Sequence, residues 1–223
     1  MDKIAQNIKK IISIIVKSKN LDEAPVKIVA VSKKKTSQDI QSAYDAGINN
    51  FGENYLQEAL LKIQDLKQLD IIWHFIGSIQ SNKCKEIAEN FHWVHTIDRF
   101  KVASLLDKYC PENRVLKGLI QVNIDEEKSK SGVSLNEVKG LLAEINELKK
   151  IKIIGLMIIP EITTAENMEN NSFKRAQTLL YELKKDYPQL EELSMGMSRD
   201  FELAIKEGST IVRLGETIFG ARN

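Results

Sequence analysis

The chain has little cysteine and no long apolar run. Its 223 residues include two cysteines, Cys84 and Cys110, which form no CxxC pair and no disulfide framework. Such sparse use is typical of a reducing compartment, so we expect the protein in the cytoplasm. The apolar stretch Ile11–Val16 is too short, and too closely flanked by lysines, to span a membrane. It predicts the apolar face of an N-terminal helix over about residues 1–20.

The chain also lacks an excess of charge of either sign. The 32 Lys and Arg residues and the 31 Asp and Glu residues leave a net charge of +1. No global field attracts nucleic acid or an anionic membrane, and the run Lys33–Lys35 is too local to change this. We therefore expect neither partner.

Histidine is scarce as well, and the three that occur do not form a metal site. His92 and His95 have opposite parity on a predicted strand and no clear carboxylate partner, so we expect no bound metal. His74 is read as a hydrogen-bonded core residue. The segment Gly196–Asp200 begins like a GxSxG nucleophile elbow, but Asp200 replaces the second glycine, which argues against a serine hydrolase.

What the chain does have is a regular alternation of Val- and Ile-rich runs with longer segments of helical periodicity, the pattern of β/α proteins. Two helix starts carry capping signals, at Thr36–Asp39 and at Ser134–Glu137. The predicted strands are Val26–Ser32, Ile48–Phe51, Ile71–Ile76, Trp93–Ile97, Leu116–Ile124, Ile151–Ile159, Leu190–Gly196 and Ser209–Leu214.

Eight strands of this kind predict a (β/α)₈ barrel. Several are apolar at consecutive positions, as expected of parallel strands covered on both faces. The competing architecture is an open doubly wound sheet, but no GxGxxG motif follows any predicted strand. We therefore expect one α/β barrel domain over residues 1–223, smaller than the usual barrel of about 250 residues and so with short loops.

The active sites of such barrels lie where strands end and the following loops begin. Lys33 is at such a position, after the predicted strand Val26–Ser32. Alternation places it on one side with Val29 and Val31, with Lys34 on the other. A lysine amine, with an ordinary pKa of about 10.4, becomes nucleophilic when burial lowers that value. The alternative is that Lys33 extends into solvent.

Two later strand ends together predict a phosphate site. Ser194–Ser198 leads from a strand into a helix, whose free backbone N–H groups can hold an anion. Arg213–Glu216 follows the last strand, and Gly215 permits a close backbone approach. Asp200 lies in the first turn of that helix, so the anion would depend on amides and on the Ser198 hydroxyl. The alternative is that Ser198 only caps its helix and Gly215 only turns the chain.

A set of motifs, in order along the chain, resembles the YggS/PROSC family of pyridoxal phosphate homeostasis proteins. The resemblance runs from about Val26 to Arg222. The motifs are Ala30–Lys33, Phe51–Tyr55, Trp73–Gly77 with Gln80–Lys83, His95–Asp98, Ser129–Gly132, Ser194–Ser198, Arg213–Gly215 and Ile218–Arg222. The resemblance implies a single-domain barrel of the alanine racemase N-terminal type.

The resemblance also implies roles for individual residues. Lys33 would form the internal aldimine, a Schiff base, with pyridoxal 5′-phosphate (PLP), and Arg213 would approach the pyridine nitrogen. Asn54 would line the pocket. The phosphate would be held by the Ser198 hydroxyl, the Met197 amide, and the turn formed by Gly215 and Glu216. Lys34–Thr36 departs from the family's usual continuation, Thr-Lys-Pro, which leaves the role of Lys35 open.

The same groups could serve a carrier or an enzyme, and the resemblance favours a carrier. We expect a non-catalytic, monomeric protein that binds PLP, takes part in its homeostasis, and passes it to PLP-dependent apoenzymes. A weak amino-acid racemase is the alternative. Alanine racemases use a tyrosine from a second domain as the other base, for which the barrel leaves no room, and Tyr55 is read as packing at a helix start. A cofactor-free Schiff-base aldolase shares only the lysine.

Overall fold

The computed structural model describes residues 2–18, 25–126, 131–160 and 171–220. Within these residues eight parallel strands form a closed barrel in sequence order, and β1 pairs with β8 to complete the ring. The strands are β1 (Lys27–Val31), β2 (Asn50–Glu53), β3 (Ile72–Phe75), β4 (Trp93–Ile97), β5 (Leu116–Val122), β6 (Ile151–Ile158), β7 (Glu192–Ser194) and β8 (Ile211–Leu214). The predicted fold class is confirmed.

Helices surround the barrel. They are α1 (Lys3–Ser18), α2 (Ser37–Asp45), α3 (Leu56–Asp65), α4 (Cys84–Asn90), α5 (Phe100–Tyr109), α6 (Val138–Ile145), α7 (Ser172–Lys184), α8 (Phe201–Lys206) and α9 (Glu216–Phe219), with 3₁₀ turns at Ser81–Lys83 and Leu135–Glu137. None of these described helices is long and apolar enough to cross a membrane.

Both predicted capping boxes form. At Thr36, the side chain accepts from the Asp39 N–H, and the Asp39 carboxylate accepts from the Thr36 N–H. The same reciprocal pair joins Ser134 and Glu137 before α6. Each box satisfies N–H groups that the first turn would otherwise leave unpaired.

The apolar residues form two layers. A small cluster fills the barrel interior: Val29, Trp93, Leu119, Met157 and Ile211. A much larger one lies between the strands and the helices and includes Ala30 and Phe51. Burial on both sides explains the consecutive apolar positions of β6.

The N-terminal helix follows the prediction through Ser18, while residues 19 and 20 lie outside the described part of the chain. Its buried face is formed by Ile8, Ile11 and Ile15. The Asn7 side chain donates to the Ile218 backbone carbonyl at 2.9 Å, which fixes α1 against α9 at the carboxyl-terminal end of the barrel.

Of the eight strands only β4 has its predicted bounds, and β2 and β7 differ from theirs by two residues at each end. The predicted strand at Ile48 begins only at Asn50, because Gly47 turns the chain at a φ of +97°. The strand then continues to Glu53, since Gly52 and Glu53 pair with His74 and Phe75 of β3. β7 is three residues long, shorter than Leu190–Gly196 suggests.

Candidate functional site

A cavity of about 1320 Å³ opens at the carboxyl ends of the strands. The structure brings all seven residues predicted for the site to its wall. They are Lys33, Asn54, Met197, Ser198, Arg213, Gly215 and Glu216. The carboxyl end of β8 supplies Arg213, and the segments that follow β1, β2, β7 and β8 supply the others, as the barrel architecture requires.

Lys33 follows the inward face of β1. Val29, on the same face, is fully buried in the barrel interior, and Val31 lines the cavity below Lys33. Lys33 itself is half-buried. Lys34 also reaches the cavity wall, contrary to the simple alternation, because its backbone turns at a φ of +61°.

Two short helices, α8 and α9, follow β7 and β8, the latter paired with β1 in the ring, and one hydrogen bond joins the segments where they begin. The Thr217 N–H in the first turn of α9 donates to the Ser198 Oγ at 3.2 Å. The predicted turns therefore form one wall. The Met197 N–H, expected to contact an anion, donates to the Asp200 carboxylate at 2.6 Å in this arrangement. Ser198 and the first turn of α9 are therefore better placed than the Met197 N–H to bind an anion.

Gly196 shapes this wall because no other residue fits its conformation. Its φ is +91°, and an added Cβ would lie 2.6 Å from the Ala204 Cβ. Glycine adopts this region without steric cost, so the chain can leave β7 and turn directly into α8.

Arg213 reaches the cavity from β8 and is almost fully buried. Its guanidinium donates to the Ser194 Oγ at 2.7 Å and to the Ile158 carbonyl at 2.9 Å. Burial lowers the pKa of Arg213 to about 10, and the Asp200 carboxylate partly opposes that shift. The group therefore remains a cation at neutral pH.

A chain of hydrogen bonds continues from Arg213 into the barrel. His95 Nδ1 lies 3.1 Å from Ser194 Oγ, His95 Nε2 lies 2.9 Å from His74 Nδ1, and His74 Nε2 lies 2.9 Å from Asn50 Oδ1. Burial holds the pKa of both histidines well below the ordinary value, so both rings are neutral.

The hydrogen-bond directions in this chain follow from its last acceptor. Asn50 Oδ1 cannot donate, so His74 donates through Nε2 and accepts through Nδ1. His95 therefore donates through Nε2, and its Nδ1 accepts from the Ser194 hydroxyl. Ser194 in turn accepts from Arg213, so the whole chain is polarised away from the cation. The reading of His74 as a hydrogen-bonded core residue agrees with this arrangement.

Asn54 lies where two cavities meet. It lines the large cavity and a second one of about 250 Å³, whose wall includes Thr96 and Gln121. Its Oδ1 is buried and has no hydrogen-bond partner among the residues that the structure describes. Its backbone is fixed by close packing, because a Cβ at Gly77 would lie 2.0 Å from the Asn54 carbonyl oxygen.

The charge of the large cavity favours an anion. Seven lysine or arginine residues line it against four aspartate or glutamate residues. A phosphate monoester, which carries nearly two negative charges at neutral pH, suits such a wall. No group of histidine, cysteine and acidic residues in the described chain could hold a metal ion.

Three residues of this site are absent from the set predicted from the sequence. Ile76 and Ile159, which follow β3 and β6, line the large cavity, as does Phe219 of α9. Ile76 and Ile159 could have been predicted, because both directly follow a strand at the carboxyl end of the barrel. Glu53 belongs to a strand end but does not line the cavity; it is buried beside Lys62 instead. Lys130 of the Ser129–Gly132 motif lies outside the described residues.

Comparison with known proteins agrees with this geometry. The sequence model of the family described as alanine racemase, N-terminal domain, matches residues 1–223. A pyridoxal phosphate homeostasis protein of Pseudomonas aeruginosa is 43% identical over 227 residues, covering 100% of this chain and 97% of that protein. One from Haemophilus influenzae is 45% identical over 212 residues, covering 93% and 90%.

A solved structure extends the comparison. PipY of Synechococcus elongatus, solved with PLP bound, superimposes with a TM-score of 0.85 at 34% identity, covering 98% of this chain and 100% of that one. The similarity therefore includes the whole barrel. The sequence resemblance is confirmed, and the chain belongs to the alanine racemase N-terminal domain family and, within it, to the family of the pyridoxal phosphate homeostasis proteins.

Proposed function

We propose that this protein binds PLP through Lys33 and carries it in exchangeable form, as a non-catalytic component of PLP homeostasis. One observation carries the proposal: the strand-end amine of Lys33, the Ser198 hydroxyl with the first turn of α9, and the buried Arg213 all line the same cavity. Its relatives bear the corresponding name, and PipY was solved with PLP bound.

The groups present fit this cofactor. When bound, PLP supplies an aldehyde that condenses with an amine with loss of water. The Lys33 Nζ is the amine that follows the inward face of β1, and Ser198 with the first turn of α9 is the wall for the phosphate. Asn54 Oδ1, buried and with no partner in the described part of the chain, offers an acceptor to a ligand hydroxyl or amine.

Arg213 sets the electrostatic character of the pocket. Its guanidinium donates to the Ser194 hydroxyl and to the Ile158 carbonyl, and both acceptors are neutral. Among the contacts described, no carboxylate accepts a hydrogen bond from it. A fixed cation facing a pyridine nitrogen keeps that nitrogen unprotonated, which weakens the ring as an electron sink. This disfavours carbanion chemistry and suits a carrier.

The lining residues also disfavour racemisation in the manner of the alanine racemases, whose second base is a tyrosine. Among the described residues of the large cavity there is no tyrosine, and no histidine or cysteine that could replace it. Tyr55 is 52% exposed and lines neither cavity. Release of the ligand to an apoenzyme would need only an incoming amine that displaces Lys33.

The test combines a spectrum with a turnover assay. Purified protein incubated with PLP should show a visible absorbance band that borohydride abolishes. The band should be missing from Lys33→Ala and retained in Lys34→Ala, the matched neighbour. Loaded protein should then transfer PLP to an apoenzyme and leave L-alanine and L-serine unracemised. Sustained racemisation at ordinary enzymatic rates, lost in Lys33→Ala, would support the racemase instead.

A further inference from the structure

A buried ion cluster lies directly beneath the loop that carries Lys33, and nothing in the proposed binding chemistry uses it. Its members are Glu53 at the end of β2 and Glu58 and Lys62 on α3; we call them the Lys62 clamp. Glu53 is fully buried and Lys62 is 6% exposed. A cluster of this kind is costly to desolvate, and apolar side chains would fill the same space without that cost.

The Lys62 ammonium uses all three of its protons. It donates to Glu53 Oε1 at 2.7 Å, to Glu58 Oε1 at 2.6 Å and to the Ser32 carbonyl oxygen at 2.7 Å. The Ser32 hydroxyl also donates to Glu53 Oε1, at 2.7 Å. The residue before Lys33 is therefore held through both its side chain and its backbone.

The residue after Lys33 is held by the same cluster. The Lys34 N–H donates to Glu58 Oε1, the oxygen that also accepts from Lys62. Lys34 has a φ of +61°, a conformation that non-glycine residues adopt at a steric cost. The Lys35 N–H closes the turn on the Ser32 carbonyl at 3.0 Å.

The clamp lies on the opposite side of the strand from the amine. Ala30 and Phe51 belong to the apolar layer outside the barrel, and Ser32 and Glu53 follow two residues later on the same face. Lys33 belongs to the inward series with Val29. The clamp therefore contacts the peptide units around Lys33 and does not line the cavity.

We propose that Glu53, Glu58 and Lys62 are positioning residues, which fix the backbone on both sides of Lys33 and so aim its amine across the cavity. This rests on the proposed function, in which that amine condenses with an aldehyde. Preorganised backbone lowers the entropic cost of placing a flexible side chain, so the clamp should strengthen covalent capture without touching the ligand.

The test compares two ligands that differ at the reacting group. PLP can condense with Lys33, whereas 4-deoxypyridoxine 5′-phosphate carries a methyl group in place of the aldehyde and can only bind. Glu58→Ala removes the acceptor of the Lys34 N–H at a partly exposed site. Glu86→Ala is the matched control, because Glu86 also lies in the first turn of a helix and pairs with a lysine, Lys83, at 3.6 Å.

We expect Glu58→Ala to weaken PLP binding about tenfold, which corresponds to one hydrogen bond to a charged group, while its affinity for the deoxy analogue stays within about twofold. Lys62→Met, as a second variant, should do the same. In the protein without ligand, amide hydrogen exchange at Lys34 should be faster in Glu58→Ala than in wild type or Glu86→Ala.

The outcomes separate the two proposals. Equal weakening of both ligands, or wild-type affinities with unchanged exchange at Lys34, would overturn the positioning role. A wild-type protein that forms no borohydride-sensitive band would overturn the proposed function. In that case the exchange measurement still decides whether the clamp holds this loop.

Discussion

Below pH 6.5 the free energy of unfolding should fall steeply, because two histidines are buried as neutral rings. His74 and His95 are fully buried, and burial holds the pKa of each well below its ordinary value of 6.5. At pH 7.5 and above neither the folded nor the unfolded chain protonates them appreciably, so they add no pH dependence there. As the pH falls further, the unfolded chain takes up protons that the folded chain excludes, and stability is lost.

The size of this loss follows from the linkage relation. A ring that stays neutral in the folded protein at pH 5.0 costs at most about 2 kcal/mol relative to pH 7.5, so the pair costs at most about 4 kcal/mol. Glu53 acts in the opposite direction: burial raises the pKa of its carboxyl, so protonation at low pH relieves its desolvation. This gain partly offsets the histidine loss, which should still dominate because two histidines titrate against one carboxyl.

The assay is urea unfolding followed by tryptophan fluorescence at pH 7.5, 6.5, 5.5 and 5.0 at constant salt. His74→Gln lowers stability at every pH, but its loss between pH 7.5 and 5.0 should be smaller than that of wild type by up to about 2 kcal/mol. His92→Gln is the comparison variant: the His92 side chain is exposed, and burial lowers its pKa less than that of His74, so its loss should lie between those of wild type and His74→Gln. A wild-type loss below about 1 kcal/mol, or an unchanged loss in His74→Gln, would refute the reasoning.

Three further substitutions test the walls of the cavity. Gly196→Ala should lower the free energy of unfolding by about 1–3 kcal/mol in urea, because its φ is +91° and its Cβ would meet Ala204, whereas Gly140→Ala, on an open helix face, should be neutral or stabilising. Ser198→Ala should weaken 4-deoxypyridoxine 5′-phosphate about tenfold by titration calorimetry, and an unchanged affinity would remove Ser198 from the phosphate site. Arg213→Met leaves two buried acceptors without their donor, so we expect a loss of about 2 kcal/mol in the same urea assay, and no loss would contradict the buried chain.

The barrel could be predicted from the sequence because each strand carries a local signal. β6 is apolar at consecutive positions, and only burial on both faces explains that pattern. The inward direction of Lys33 followed from the period of two along β1. The bounds of β2 could not be predicted in this way, since the turn at Gly47 and the pairing with β3 set them.

The buried polar contacts could not be predicted from the sequence, because the residues that form them are far apart in the chain. Lys62 has the pattern of an exposed helical lysine, and its burial depends on contact with Glu53 and Ser32 in three dimensions. The hydrogen bonds from Arg213 to His74 likewise join residues of β8, β7, β4 and β3. Periodicity gives the side of each strand but not which side chains meet across a barrel.

The most direct test of the account is the position of the covalent link. The protein is incubated with PLP, reduced with borohydride, digested and mapped by mass spectrometry. We expect one reduced adduct at Lys33, and no stoichiometric adduct in Lys33→Ala. An adduct of equal yield on Lys34 or another surface lysine, retained in Lys33→Ala, would contradict the claim that the amine at the end of β1 holds the ligand.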